Sequence, residues 1–135
     1  MTKVNRKLLL ARFKCNPPAS WEAIEQVQEK LSFRLPRSYT DVLLTSDGGE
    51  GFVGEAYLML WKVEELIMMN AGYHVAEFAP TLFLFGSDGG GEAFAFDTRS
   101  DACEIVRVPF IGMELEFANV VARDFEEFLS VLFAS

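Results

Sequence analysis

From Ser20 onward the apolar residues Trp21, Ile24, Val27 and Leu31 recur at helical spacing, with Glu22, Glu25 and Glu29 outside the stripe. That pattern predicts an amphipathic helix laid against a core, with Ser20 as its N-cap. Leu35-Pro36 opens a second helix whose buried side is Tyr39, Val42, Leu43 and Leu44, and Asp47-Gly48-Gly49 stops it where positive φ is tolerated. Tyr57 to Trp61 is apolar on both alternating faces, the pattern of a strand covered from two sides. A short helix is expected over Val63 to Asn70. Strands are expected over Thr81 to Phe85, Glu92 to Asp97 and Cys103 to Pro109, joined by Gly-rich or polar turns suited to antiparallel hairpins. Phe125, Phe128, Leu129, Leu132 and Phe133 then form a closing helical stripe, started by Asp124 with Glu127 in capping-box position.

Helices first, antiparallel strands next and a helix last define an α+β class: N-terminal helices, a central twisted, mainly antiparallel sheet, and a C-terminal helix packed on it. Asn16-Pro17-Pro18 marks a break. Residues 1–16 are accordingly read as a basic arm or short helix carrying Leu8, Leu9, Leu10 and Phe13, and residues 17–135 as one α+β domain.

Composition supports one core. The chain has 135 residues, half of them hydrophobic and 13 of them Phe, enough apolar area to offset chain entropy without metal or disulfide staples. Cys15 and Cys103 have no C-x-x-C spacing or clustered His and are read as small buried hydrophobes. The basic N-terminus has too short an apolar run, Leu8 to Ala11, for an export signal, so a cytoplasmic protein is expected, with no membrane span.

Charge is unevenly placed. Net charge is −8, but Lys3, Arg6, Lys7, Arg12 and Lys14 make the first fourteen residues +5, leaving 7 basic against 20 acidic residues, −13, in the rest. A body that acidic repels phosphate backbones and disfavours direct nucleic-acid binding, whereas it favours a basic protein partner.

Two acidic Gly-rich segments invite a chemical reading: Asp47-Gly48-Gly49-Glu50-Gly51-Phe52 and Asp88-Gly89-Gly90-Gly91-Glu92-Ala93-Phe94. Neither has the Lys-Ser/Thr of a phosphate loop or the strand-to-helix context of a dinucleotide loop. Brought together, Asp47, Glu50, Asp88 and Glu92 have the chemistry to hold a hard cation or act as an acid–base pair, but their spacing fails the EF-hand rule. Turn and cap duty is preferred for all four, and they are also the candidates for partner contact. His74 is the only histidine; a triad needs it near Ser46, Ser87 or Cys103, and no nucleophile elbow is present. No cofactor is expected. Trp21 and Trp61 are read as core, and the methionines as gap-fillers.

The order of these elements resembles the SUKH superfamily, which holds fungal cell-wall-synthesis regulators and many bacterial immunity proteins. The carriers are Ser20-Trp21 with Ile24-Glu25, Leu35-Pro36-Arg37-Ser38-Tyr39 with Val42-Leu43-Leu44, and Asp47-Gly48-Gly49. The strand Leu58-Met59-Leu60-Trp61, Val63-Glu64-Glu65 with Asn70, the turn Phe85 to Glu92 leading to Asp97, and Ala122, Asp124-Phe125 and Phe128-Leu129 follow. The resemblance implies an α+β domain without catalytic residues. It also implies a non-enzymatic binding module, an immunity protein that neutralises a toxin effector such as a nuclease. A regulatory scaffold, or a small hydrolase using the acidic loops, are the alternative expectations.

Overall fold

A computed structural model describes residues 10–135. Its centre is a seven-stranded antiparallel sheet in sequence order: β1 Arg12–Cys15, β2 Gly49–Val53, β3 Ala56–Leu60, β4 Leu82–Ser87, β5 Glu92–Asp97, β6 Ile105–Pro109 and β7 Asn119–Ala122. Among the described residues two helices precede β2, α1 Trp21–Gln28 and α2 Arg37–Leu43. A 3-10 turn Val63–Glu65 with α3 Leu66–Gly72 and α4 Val75–Phe78 links β3 to β4, and α5 Phe125–Ala134 closes the chain. The expected α+β layout is therefore present, with the C-terminal helix on the sheet.

The caps act where the sequence placed them. Ser20 Oγ accepts from the Ala23 N–H at 3.1 Å, and an Asp124 carboxylate oxygen accepts from the Glu127 N–H at 2.8 Å. Glu127 reaches one residue further back than a capping box requires, accepting from the Arg123 N–H at 2.9 Å.

The N-terminal expectation is corrected in part. Leu8 and Leu9 lie outside the described residues, but Arg12–Cys15 is extended and pairs with β2 rather than continuing a helix. Gly49 and Gly51 make this pairing possible: a Cβ on Gly49 would stand 2.8 Å from the Phe13 ring, and one on Gly51 would stand 2.8 Å from Phe13 Cα. The first Gly-rich segment is thus largely strand. Cys15, on the edge strand, is exposed, whereas Cys103 is buried.

The core lies between the sheet and α1, α2 and α5. Phe85 of β4 meets Phe125 and Phe128 of α5 and Phe94 of β5 meets Phe128, with Tyr39 of α2 in contact with Phe85, Phe96 and Phe125. Ala93, Ala95, Val106 and Val108 alternate with these on the opposite face and are also buried. The doubly covered strands are therefore β4 to β6. On β3 only Leu58 and Leu60 are buried, and Tyr57 and Met59 face a partly open side, contrary to the reading of Tyr57 to Trp61 as covered on both faces.

Trp61 is buried, but Trp21 is 49% exposed and Leu44 is 37% exposed. Both stand at helix ends, Trp21 as the first residue of α1 and Leu44 just past α2. Ile24, Val27, Tyr39, Val42 and Leu43 make the inward contacts instead.

Motif residues hold these layers together. Asn70 lies against the edge of β4 where its pairing with β3 ends. Its amide donates to the Leu84 carbonyl at 2.9 Å, and its oxygen accepts from the Leu84 N–H at 2.8 Å, as a neighbouring strand would. Ser38 Oγ accepts from the Phe125 N–H at 3.2 Å, joining α2 to the start of α5. Asp97 accepts from the Arg99 N–H at 3.0 Å and from its guanidinium at 2.6 Å.

Two outcomes follow for stability. Asn70→Ala leaves the two buried Leu84 backbone groups unpaired, an expected loss of about 1–3 kcal/mol in denaturant unfolding. The hydrogen bond from Arg99 holds the Asp97 carboxyl below its ordinary value of 3.8, so its stabilisation is present above that pH and is lost as pH falls through the lower folded value. Asp97→Asn should therefore melt below wild type at neutral pH, with the gap closing as pH falls well below 3.8.

Candidate functional site

Strand alternation places Arg12 and Lys14 of β1, Glu50 and Phe52 of β2, and Tyr57 and Met59 of β3 on one face, away from buried Phe13, Val53, Leu58 and Leu60. This face is open. Its groups are linked in sequence: the Arg12 guanidinium lies 5.0 Å from the centre of the Phe52 ring, Phe52 meets Tyr57 edge-on at 5.2 Å, and the Tyr57 hydroxyl donates to a Glu50 carboxylate oxygen. The bond to Glu50 raises the Tyr57 phenol above its usual range, with desolvation adding to it.

Lys62, Glu65 and Met69 rise beside Lys14, Glu50 and Met59 to form a shallow hollow of about 400 Å³. Across the face, Gly89 lies against the Tyr57 ring so closely that a Cβ there would be 2.7 Å from it. Tyr57 is thus the point where the two Gly-rich segments meet, its hydroxyl on Glu50 and its ring on the Asp88–Gly91 turn.

The four acidic candidates divide between different tasks. Asp47 accepts from the Val63 N–H at 2.7 Å, capping the 3-10 turn, as its preferred reading required. Asp88 shapes its own turn, accepting from the Gly90 N–H at 2.8 Å and the Glu92 N–H at 3.3 Å. Glu50 is neither a turn nor a cap residue but an exposed strand residue opposite Met59. Glu92 begins β5 opposite Pro109, with one carboxylate oxygen buried and without a hydrogen-bond partner among the described residues. Among the described residues no group of three or more His, Cys, Asp or Glu is arranged to hold a metal ion.

The nucleophile candidates are similarly separated. Ser46 donates to the Gly48 carbonyl at 2.6 Å, and Ser87 Oγ accepts from the Gly89 N–H at 3.1 Å. Cys103 is buried, and that burial, with Asp101 and Asp97 nearby, raises its thiol. His74 takes a left-handed conformation ahead of α4 with its ring edge-on to Phe78. No hydrogen bond joins it to any of the three among the described residues.

Arg12, Lys14 and Phe52 were not singled out from sequence as one surface. The signal was the polar–apolar–polar alternation Arg12-Phe13-Lys14, a strand pattern that an adjacent run of leucines obscured.

Helices packed on an ordered antiparallel meander, with Asp47, Asn70 and Ser38 spent on holding it together, define a small α+β domain. Residues 18–131 match the model of the SMI1 / KNR4 family (SUKH-1), and the chain belongs to that family. No curated protein sequence matches it. No helix among the described residues is long and apolar enough to cross a membrane.

The Tyr57–Glu50 bond is directly testable. Glu50→Gln should return the Tyr57 phenol toward 10.0, its ordinary value, as followed by a pH titration of the Tyr57 ring carbon signal. An unchanged titration would show that the bond does not form in solution.

Proposed function

We propose that the chain is a non-enzymatic protein-binding module of the cytoplasm, an immunity protein that neutralises a toxin effector such as a nuclease by docking on it. The observation that carries this reading is the family match over residues 18–131, joined to the antidote role that the SUKH resemblance implies. The engagement of Asp47 in a cap and of Asp88 in a turn fits a domain whose acidic loops serve architecture rather than catalysis.

Charge supplies the physical side. Beyond Lys14 the chain carries 20 acidic against 7 basic residues, and a nuclease presents a positive cleft to its substrate. Opposed fields of that kind raise the rate of encounter and select orientation more than they set final affinity. Of the four acidic candidates, we associate partner contact with Glu50, because it alone is exposed and stands on the open face.

Co-expression with the product of a neighbouring toxin-like gene should yield a complex that copurifies and restores growth. Its association rate should fall by on the order of tenfold or more between low and high salt. A toxin that neither copurifies nor loses its lethality would overturn the immunity reading.

A further inference from the structure

A second concave surface lies on the other side of the helical layer. A groove of about 580 Å³ runs between α1 and α2. The Ala19 N–H donates to the Leu43 carbonyl at 2.9 Å, which sets the end of α2 against the start of α1, so the two helices run antiparallel. Trp21, Glu25 and Gln28 follow i, i+4, i+7 on one wall, and Arg37, Asp41 and Leu44 follow the same spacing on the other.

Read across the groove, these rows change character in order. Exposed Trp21 and Leu44 share one end, Glu25 and Asp41 the middle, and Arg37, with Arg34 from the connection, the other end. A third carboxylate, Asp101, comes from the β5–β6 turn. None of these five charged groups forms an ion pair within the described residues. Gln28 does not compete for them, because its amide is held by the Phe33 carbonyl at 2.6 Å and the Leu35 N–H at 2.8 Å.

We propose that this groove docks an amphipathic helix of the partner protein, one that presents an apolar, a basic and an acidic side chain on successive turns. The inference rests on the protein-binding reading and names the surface and the recognition chemistry. The order of charges selects the occupant: its apolar residue covers Trp21 and Leu44, its Lys or Arg meets Glu25 and Asp41, and its carboxylate meets the guanidinium forks of Arg34 and Arg37. Arg suits such a carboxylate because its planar fork pairs in bidentate fashion, and a half-exposed Trp is the residue type most enriched at interface hot spots. A helix fits better than an extended segment. Three rows at i, i+4 and i+7 span roughly 10 Å, which a partner helix matches at its own 1.5 Å rise. Same-face residues of a strand, about 6.8 Å apart, drift out of step by the third row.

The test is selection of displayed, random 18-residue helical peptides against the intact chain. Enriched peptides are expected to carry the apolar, basic, acidic order at spacings of three or four residues. They should bind Trp21→Ala at least about tenfold more weakly, as expected of an interface hot spot, while Trp21→Phe retains part of the affinity. Selection on Arg37→Glu should replace the acidic residue by Lys or Arg, a reversal that a folding defect cannot produce. Ile111→Ala, at a 93% exposed position outside both the groove and the sheet face, should bind unchanged. No enrichment over an unrelated protein, or peptides that ignore the groove variants, would overturn the proposal. If groove variants still neutralise a copurifying toxin, the groove fails and the immunity reading stands. If groove peptides are selected but no toxin is neutralised, the reverse holds.

Discussion

The rest of the structure depends on the packing of Tyr39 against Phe85, Phe96 and Phe125. Ring centres lie 5.1 to 5.6 Å apart in these three contacts, and Phe85 adds a stacked contact with Phe96 at 4.5 Å. Offset and edge-on pairs of this kind each add about 0.5–1.5 kcal/mol to what area burial supplies. They also join four elements, α2, β4, β5 and α5, through one side chain. The cost is visible in the Tyr39 hydroxyl, which is buried without a hydrogen-bond partner among the described residues and whose phenol is raised first by desolvation and then by Asp47. The surrounding rings offset that cost, and the position of α2, and with it the α1–α2 groove, follows from them.

Around this packing, Ser38, Asp47 and Asn70 each serve a junction between elements. Ser38, one residue before Tyr39, satisfies the first free N–H of α5. Asp47 satisfies the start of the 3-10 turn, and Asn70 satisfies the edge of β4 with both halves of its amide. Each removes an unpaired backbone group at a junction between elements, where helix and sheet ladders cannot reach. Residues committed in this way are poor candidates for recognising a partner. The side chains free to do so lie elsewhere, on the open face of β1 to β3 and along the α1–α2 groove.

What was legible in the sequence was whatever depended on local periodicity. The stripes of α1, α2 and α5 and the full extent of β5, Glu92 to Asp97, could be read directly, as could the caps at Ser20 and Asp124. What was not legible depended on partners distant in sequence. β1 and β2 exist as strands because Gly49 and Gly51 admit the chain from Arg12 to Cys15, yet the same glycines look like a turn when read alone. β7 is four residues after a 3-10 turn, too short for a periodic signal. The meeting of the two acidic segments at Tyr57 was equally hidden, because neither segment's own sequence names the ring between them. Trp21 and Leu44 completed an apolar stripe that outruns the region the sheet can cover.

Native-state hydrogen exchange on the free protein tests most directly whether the aromatic layer is the unit on which the other elements depend. The amides of Leu84, Phe94, Phe96 and Ile105 should exchange only by global unfolding, with opening free energies equal to that measured by denaturant, while those of edge strand β1 open at lower cost. Exchange of Leu84 or Phe96 through a local opening well below the global value, with β1 as protected as β5, would contradict it.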